Sequence, residues 1–146
     1  MRGHFGVGIY QPKTAENVGG LWRSAHAFGA SYIFTIGARY RHDRMDVSKA
    51  PRSVPLFHYD TPDEAFSSFP AGSKVVAVEY PGKRVLQGYG HPEQAVYLLG
   101  AEDHGIPAEV LDRCESVVEI GSCGICLNVA TAGSSVMYDR VAKMTR

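Results

Sequence analysis

A chain of 146 residues, 45% hydrophobic and 21% charged, is long enough to bury a sizeable core as a single domain, 1–146, and too apolar to be disordered. Its 15 basic and 15 acidic side chains give a net charge of zero, so the overall balance selects neither nucleic acid nor any other charged partner. No apolar run approaches membrane-spanning length, residues 1–5 hold no apolar signal core, and three cysteines are too few for a disulfide framework; reduced thiols in a cytoplasmic location are expected.

Residues 5–10 (Phe-Gly-Val-Gly-Ile-Tyr) read as a first strand whose two glycines mark a close backbone approach. A loop punctuated by Pro12 follows. Asn17 stands as the N-cap of a helix to Phe28, with Val18, Leu21, Trp22 and Ala25 on the buried face and Gly29 as the stop. Gly19 and Gly20 fall in its first turn, where each costs about 1 kcal/mol against alanine, which points to something coming close. Arg23 is the one charge of that helix and lies off its apolar face.

Residues 31–36 are a β-branched and aromatic strand. Residues 37–55 are polar and locally basic, with Arg39, Arg41, Arg44, Lys49 and Arg52 against only Asp43 and Asp46; a stretch longer than most loops is read as functional. Residues 56–59 form a short strand, and Thr61 and Pro62 open a short helix with proline at its first position. Residues 74–79 are a buried type of strand, and residues 95–99 are another, ending in the turn Gly100-Ala-Glu-Asp-His-Gly105. A helix over 107–113 and a strand over 117–120 follow.

The last quarter is a Gly- and Cys-bearing turn running into a helix, with Asn128 as N-cap and Val129, Ala132, Gly133, Val136, Met137, Arg140 and Val141 near one face. Six small residues in a row, 130–135, let another helix come close, within the chain or across a dimer. Strands alternating with short helices specify an α/β domain with a mainly parallel sheet. Ligands of such sheets bind at the carboxyl ends of strands, where the glycine turns of this chain fall.

The common nucleotide motifs are missing. Gly6 and Gly8 would need a glycine where Gln11 stands, and no P-loop run exists. Cys123 and Cys126 form a Cys-x-x-Cys at a helix start, which supports either a redox pair or two small residues in a tight turn. Zinc needs about four ligands; Cys114 and His104 could be recruited, but no spacing asks for it, and no metal is expected. Singly, Glu102 reads as a loop acid, Arg23 as a surface arginine, and His26 and His104 as helix-face and loop histidines.

Three segments taken together resemble the motifs of the SpoU/TrmH family of RNA ribose 2′-O-methyltransferases in the SPOUT superfamily. The first runs from Asn17 through Arg23 to Phe28-Gly29, and the second is Leu98-Leu-Gly-Ala-Glu-Asp-His-Gly-Ile-Pro107. The third spans 120–138 and contains Leu127-Asn128-Val129. The resemblance implies an α/β fold with a C-terminal deep trefoil knot, an obligate homodimer, the cofactor S-adenosyl-L-methionine (AdoMet) and a tRNA or rRNA substrate. It further implies that Val78, Gly100, Ile120, Cys126 and Leu127 touch the cofactor, largely through backbone groups. Glu102 would brace the loop, Asn17 and Asn128 would belong to the catalytic set, and Arg23 would act as the catalytic residue toward the partner's cofactor. Arg39, Arg41, Arg44, Lys49 and Arg52 are the candidates for phosphate contacts. The family usually has serine where this chain has Cys126. That departure leaves open a non-catalytic dimeric binder of RNA or cofactor, and the Cys-x-x-Cys leaves open a small thiol oxidoreductase.

Overall fold

The computed structural model of the chain describes residues 3–39, 50–101, 105–121, 124 and 126–144. Seven strands form one sheet: β1 (His4–Tyr10), β2 (Tyr32–Ile36), β3 (Leu56–Tyr59), β4 (Lys74–Val78), β5 (Arg84–Val85), β6 (Gln94–Gly100) and β7 (Ser116–Glu119). Their order is β3-β2-β1-β6-β4-β7-β5, and every pairing is parallel. The helices are α1 (Ala15–Phe28), α2 (Ala50–Ser53), α3 (Pro62–Ser68), α4 (Ala108–Leu111) and α5 (Val129–Met144). The two-residue edge strand β5 and the 3-10 turn at Leu86–Gly88 carry too little periodicity to be read from the sequence.

Both faces of the sheet are covered, as an all-parallel sheet requires. Phe5, Val7 and Ile9 of β1 and Tyr97 and Leu99 of β6 join Leu21, Trp22, Val136 and Met137 of α1 and α5 in one core layer. The alternate residues Val96 and Leu98 join Phe34, Ile36, Ala65 and Val110 in the other. Each fully buried large side chain contributes about 1.5–3 kcal/mol. Trp22 is anchored further, since its indole Nε1–H donates to the Val54 carbonyl at 2.8 Å. The glycines of β1 do mark a close approach, but of rings and not of backbone. A Cβ at Gly6 would lie 2.1 Å from the Tyr32 ring, and one at Gly8 2.4 Å from the Phe34 ring.

Helix α1 begins earlier than its sequence suggests. Thr14, not Asn17, is the N-cap, and its hydroxyl accepts the Asn17 N–H at 3.1 Å. Both residues are good caps, and the three added residues bring Glu16 into the helix as a second charge beside Arg23. The expected stop holds, with Gly29 at φ 82°. Helix α4 is shorter than the expected 107–113: Pro107 is its N-cap, and beyond Asp112 the amides of Arg113 and Cys114 bond only three residues back, to Val110 and Leu111.

The small residues of α5 are used inside the chain. Helix α5 packs along α1; a Cβ on Gly133 would lie 2.3 Å from Leu21 Cδ1, and one on Gly20 would lie 3.2 Å from the Ala130 Cβ. The hydroxyls of Ser24 and Ser134 meet at 2.5 Å across the same seam. The close neighbour that Gly20 calls for is thus α5. No helix among the described residues is long and apolar enough to cross a membrane.

Candidate active site

Strands β6, β4 and β7 are neighbours, so their carboxyl ends lie side by side at one edge of the sheet. A cleft opens there, lined by Val78, Glu79 and Tyr80 after β4, Leu99, Gly100 and Ala101 at the end of β6, and Ile120 after β7. Cys126, Leu127, Val129 and Ala132, at the start of α5, close it. All five cofactor candidates, Val78, Gly100, Ile120, Cys126 and Leu127, therefore meet in one cleft. Its walls are mostly apolar side chains and loop backbone, and Leu127 is 41% exposed.

Asn128 caps α5 beside this cleft. Its Oδ1 accepts the N–H groups of Ala130 and Thr131 at 2.9 and 3.2 Å, which satisfies two donors that a helix start leaves open. Its Nδ2 donates to Asn17 Oδ1 at 3.1 Å. Because Thr14 does the capping of α1, the Asn17 side chain is available for this bond. One hydrogen bond thereby joins the first and third motifs, and the starts of both long helices are held together.

Arg23 is not among the residues lining the cleft. It lies exposed on α1, on a surface shared with Gly20, Ser24, Ala27, Phe28 and Ser134. Phe28 and the 63% exposed Tyr138 of α5 meet edge to face on that side of the helix pair, ring centres 6.3 Å apart. Arg39 is exposed just beyond the carboxyl end of β2, on the same sheet edge as the cleft, and Arg52 is exposed on α2. Glu102, His104, Arg41, Arg44, Lys49 and Cys123 lie outside the described residues.

The carboxylate that braces the second-motif loop, among the described residues, is that of Glu79. Its Oε2 accepts the Ile106 N–H at 2.6 Å, and Ala101 bridges to Gly105 across the same loop. Burial raises the Glu79 pKa from its ordinary value, against the lowering effect of the Ile106 and Tyr80 backbone amides. Glu79 went unnoticed in the sequence because it reads as the last residue of a buried strand. Its place at the carboxyl end of a parallel strand was the signal to follow.

Of the Cys-x-x-Cys, Cys126 is exposed and Cys123 lies outside the described residues; the third thiol, Cys114, stands apart from it. Cys114 donates to the Val110 carbonyl at 3.3 Å, and burial pushes its pKa up to about 11, so the reactive thiolate is disfavoured. Among the described residues no group of His, Cys, Asp or Glu is placed to hold a metal ion.

Comparison with known proteins supplies the family. The model of the SpoU rRNA Methylase family matches residues 4–138. The mouse tRNA (guanosine(18)-2′-O)-methyltransferase TARBP1 is 31% identical over 134 residues, which are 84% of this chain and 8% of that protein. The SpoU methyltransferase AviRb from Streptomyces viridochromogenes, solved in complex with AdoMet, superposes with a TM-score of 0.85 at 22% identity, over 98% of this chain and 58% of that one. A structure concerned with 2-OH methylation of C/U34 on tRNA gives a TM-score of 0.85 at 25% identity, over 98% of this chain and 97% of its own. With three motifs assembled around one cleft and the family model matched from β1 into α5, the chain belongs to the SpoU rRNA Methylase family.

Proposed function

We propose that the protein is an AdoMet-dependent RNA methyltransferase that places a methyl group on a ribose 2′-OH of tRNA or rRNA. The observation that carries this reading is the convergence of Val78, Gly100, Ile120, Cys126 and Leu127 on one cleft beside the Asn17–Asn128 pair. The cleft suits the cofactor. Apolar walls at Val78, Leu99, Ile120 and Val129 fit an adenine face, loop backbone around Gly100 and Ala101 offers hydrogen bonds, and the Glu79 carboxylate fits a cationic ligand. When bound, the cofactor supplies an activated methyl group.

What remains for the chain is alignment and charge. Holding the 2′-OH in line with the methyl donor supplies several kcal/mol of the barrier. Arginine keeps its proton and is a poor base, so Arg23 orients a substrate phosphate and stabilises the charge that develops on the ribose oxygen. Arg23 is absent from its own cleft's lining, which suits a homodimer in which each Arg23 serves the partner's cleft. The exposed Tyr138, packed on the half-buried Phe28 beside Arg23, offers that dimer an apolar contact. Cys126 in the serine position still presents a small polar group to the cleft, in keeping with turnover. The C-terminal trefoil knot belongs to the same reading; its support is the placement of β7 between β4 and β5, after which α5 returns to α1. Arg39 and Arg52, with Arg41, Arg44 and Lys49, would meet RNA phosphates.

Calorimetric titration with AdoMet tests the cleft, and transfer of labelled methyl from AdoMet to total tRNA and rRNA tests the reaction. Saturable binding and label recovered as 2′-O-methylnucleoside are expected. No heat at millimolar cofactor would overturn the reading.

A further inference from the structure

Glu79 is the one charged side chain among the described residues that line the cleft. Its position is built in from several sides. The Ile106 N–H fixes Oε2, and that oxygen lies where a Cβ on Gly105 would come within 2.8 Å and one on Gly100 within 3.0 Å. The two glycines therefore admit the carboxylate between the ends of β4 and β6. The Ile106 N–H favours the charged form of this carboxylate while partial withdrawal from water works against it, and the group stands at the wall of an otherwise apolar cleft. In such surroundings the attraction between charges is several times that in water, and it reaches across a ligand without direct contact.

We propose that Glu79 makes the cleft select its ligand by charge, favouring the cationic sulfonium cofactor over the neutral thioether that remains once the methyl group has gone. This rests on the methyltransferase reading above. The two ligands share their adenosine and amino-acid parts, so a hydrogen bond to ribose, or the bracing of the loop, would act on both alike. They differ only at sulfur, by the methyl group and the positive charge that goes with it, and sinefungin separates the two. The same carboxylate that helps to recruit the cofactor then loses its hold on the spent product, which favours exchange.

The test is calorimetric titration of the wild type and of Glu79→Gln with three ligands. They are AdoMet, its thioether product S-adenosylhomocysteine, and sinefungin, in which an amine-bearing carbon replaces the sulfonium. Glutamine keeps an oxygen for the Ile106 N–H, removes the charge and makes the other carboxylate oxygen an amide donor, a change of hydrogen bonding that acts on all three ligands alike. The substitution should weaken AdoMet and sinefungin by about tenfold or more and S-adenosylhomocysteine by less than about threefold. Retained binding of the thioether shows that the variant is folded. Equal losses for all three ligands would reduce Glu79 to a loop brace and overturn the proposal while leaving the methyltransferase reading intact. A wild type that binds none of them would overturn both.

Discussion

At the carboxyl ends of the central strands, polar groups face a cleft; at the amino ends, they face one another. The carboxyl edge offers loop backbone and the Glu79 carboxylate, beside a helix start whose amides Asn128 caps. At the other edge Arg140 is fully buried, and its guanidinium donates to the carbonyls of Pro92 and Glu93 at 2.7 Å and to the Tyr97 hydroxyl at 3.2 Å. His91, whose side chain is also fully buried, lies 2.7 Å from Tyr97 and 2.7 Å from Asp139. Lys143 reaches Asp139 at 2.8 Å and donates to the carbonyls of Leu86 and Tyr89. Burial raises the Tyr97 pKa to about 12, so its hydroxyl keeps its proton. With Arg140 donating to the Tyr97 oxygen, that proton goes to His91 Nδ1, and His91 Nε2–H goes to Asp139. The same two elements, β6 and α5, carry both edges. One end of α5 is clamped to the amino edge of the sheet, and the other, capped by Asn128, starts beside the cleft.

Substitutions should separate the two edges. Arg23→Ala should lower methyl transfer by about 10²–10³-fold, the scale of a lost charge-stabilising donor, with AdoMet affinity unchanged. A matching loss of affinity would place Arg23 in the cofactor's own cleft. Arg140→Ala, at the clamped edge, should cost about 3 kcal/mol in urea unfolding because it takes the guanidinium donor from the Pro92 carbonyl and the Tyr97 hydroxyl, the Glu93 carbonyl keeping the His4 N–H. The cofactor affinity of the folded fraction should hold, and a large loss there would show that the edges are not separable. Asn128→Ala should do both things mildly, costing about 1 kcal/mol of stability as a lost cap and weakening AdoMet.

The smallest effect is expected from pH. Burial lowers the His91 pKa, opposed by Asp139 and supported by the nearby Lys143 and Arg140 charges. The native state thus holds His91 neutral, while the unfolded chain takes up a proton near pH 6.5. The unfolded state binds more protons below that value, so stability falls as pH drops from about 6.5 toward the lowered folded value. Urea midpoints of the wild type and His91→Gln should converge over that window; parallel curves would mean that His91 does not titrate with folding.

Much of this was legible in the sequence, for identifiable reasons. The strands of the central sheet show because Val75–Val78 and Ala95–Leu99 are apolar runs that only a doubly covered sheet can bury. Asn128 was legible as a cap because a polar residue stood directly before a helical pattern. The start of α1 was misplaced because Thr14 and Asn17 are chemically equivalent caps, and only the fold decides between them. The Arg140 cluster was not legible, since it gathers residues from distant segments and Arg140 looked like one polar member of a helix face. Nor was the role of the small residues in α5 decidable, because the same run suits a neighbour in the chain or in a partner.

The pairing of β1 with β6 bears on how the molecule is made. β1 holds β2 on one side, and β2 is available within the first 36 residues. Its other edge waits for Gln94–Gly100. On a ribosome adding about 5–20 residues per second, that edge stays unpaired for several seconds. During that interval Phe5, Val7 and Ile9 also lack α5, which follows β6 in the chain. Between the synthesis of β1 and that of β6 a nascent chain therefore carries an open strand edge, the kind of edge that can pair with another chain.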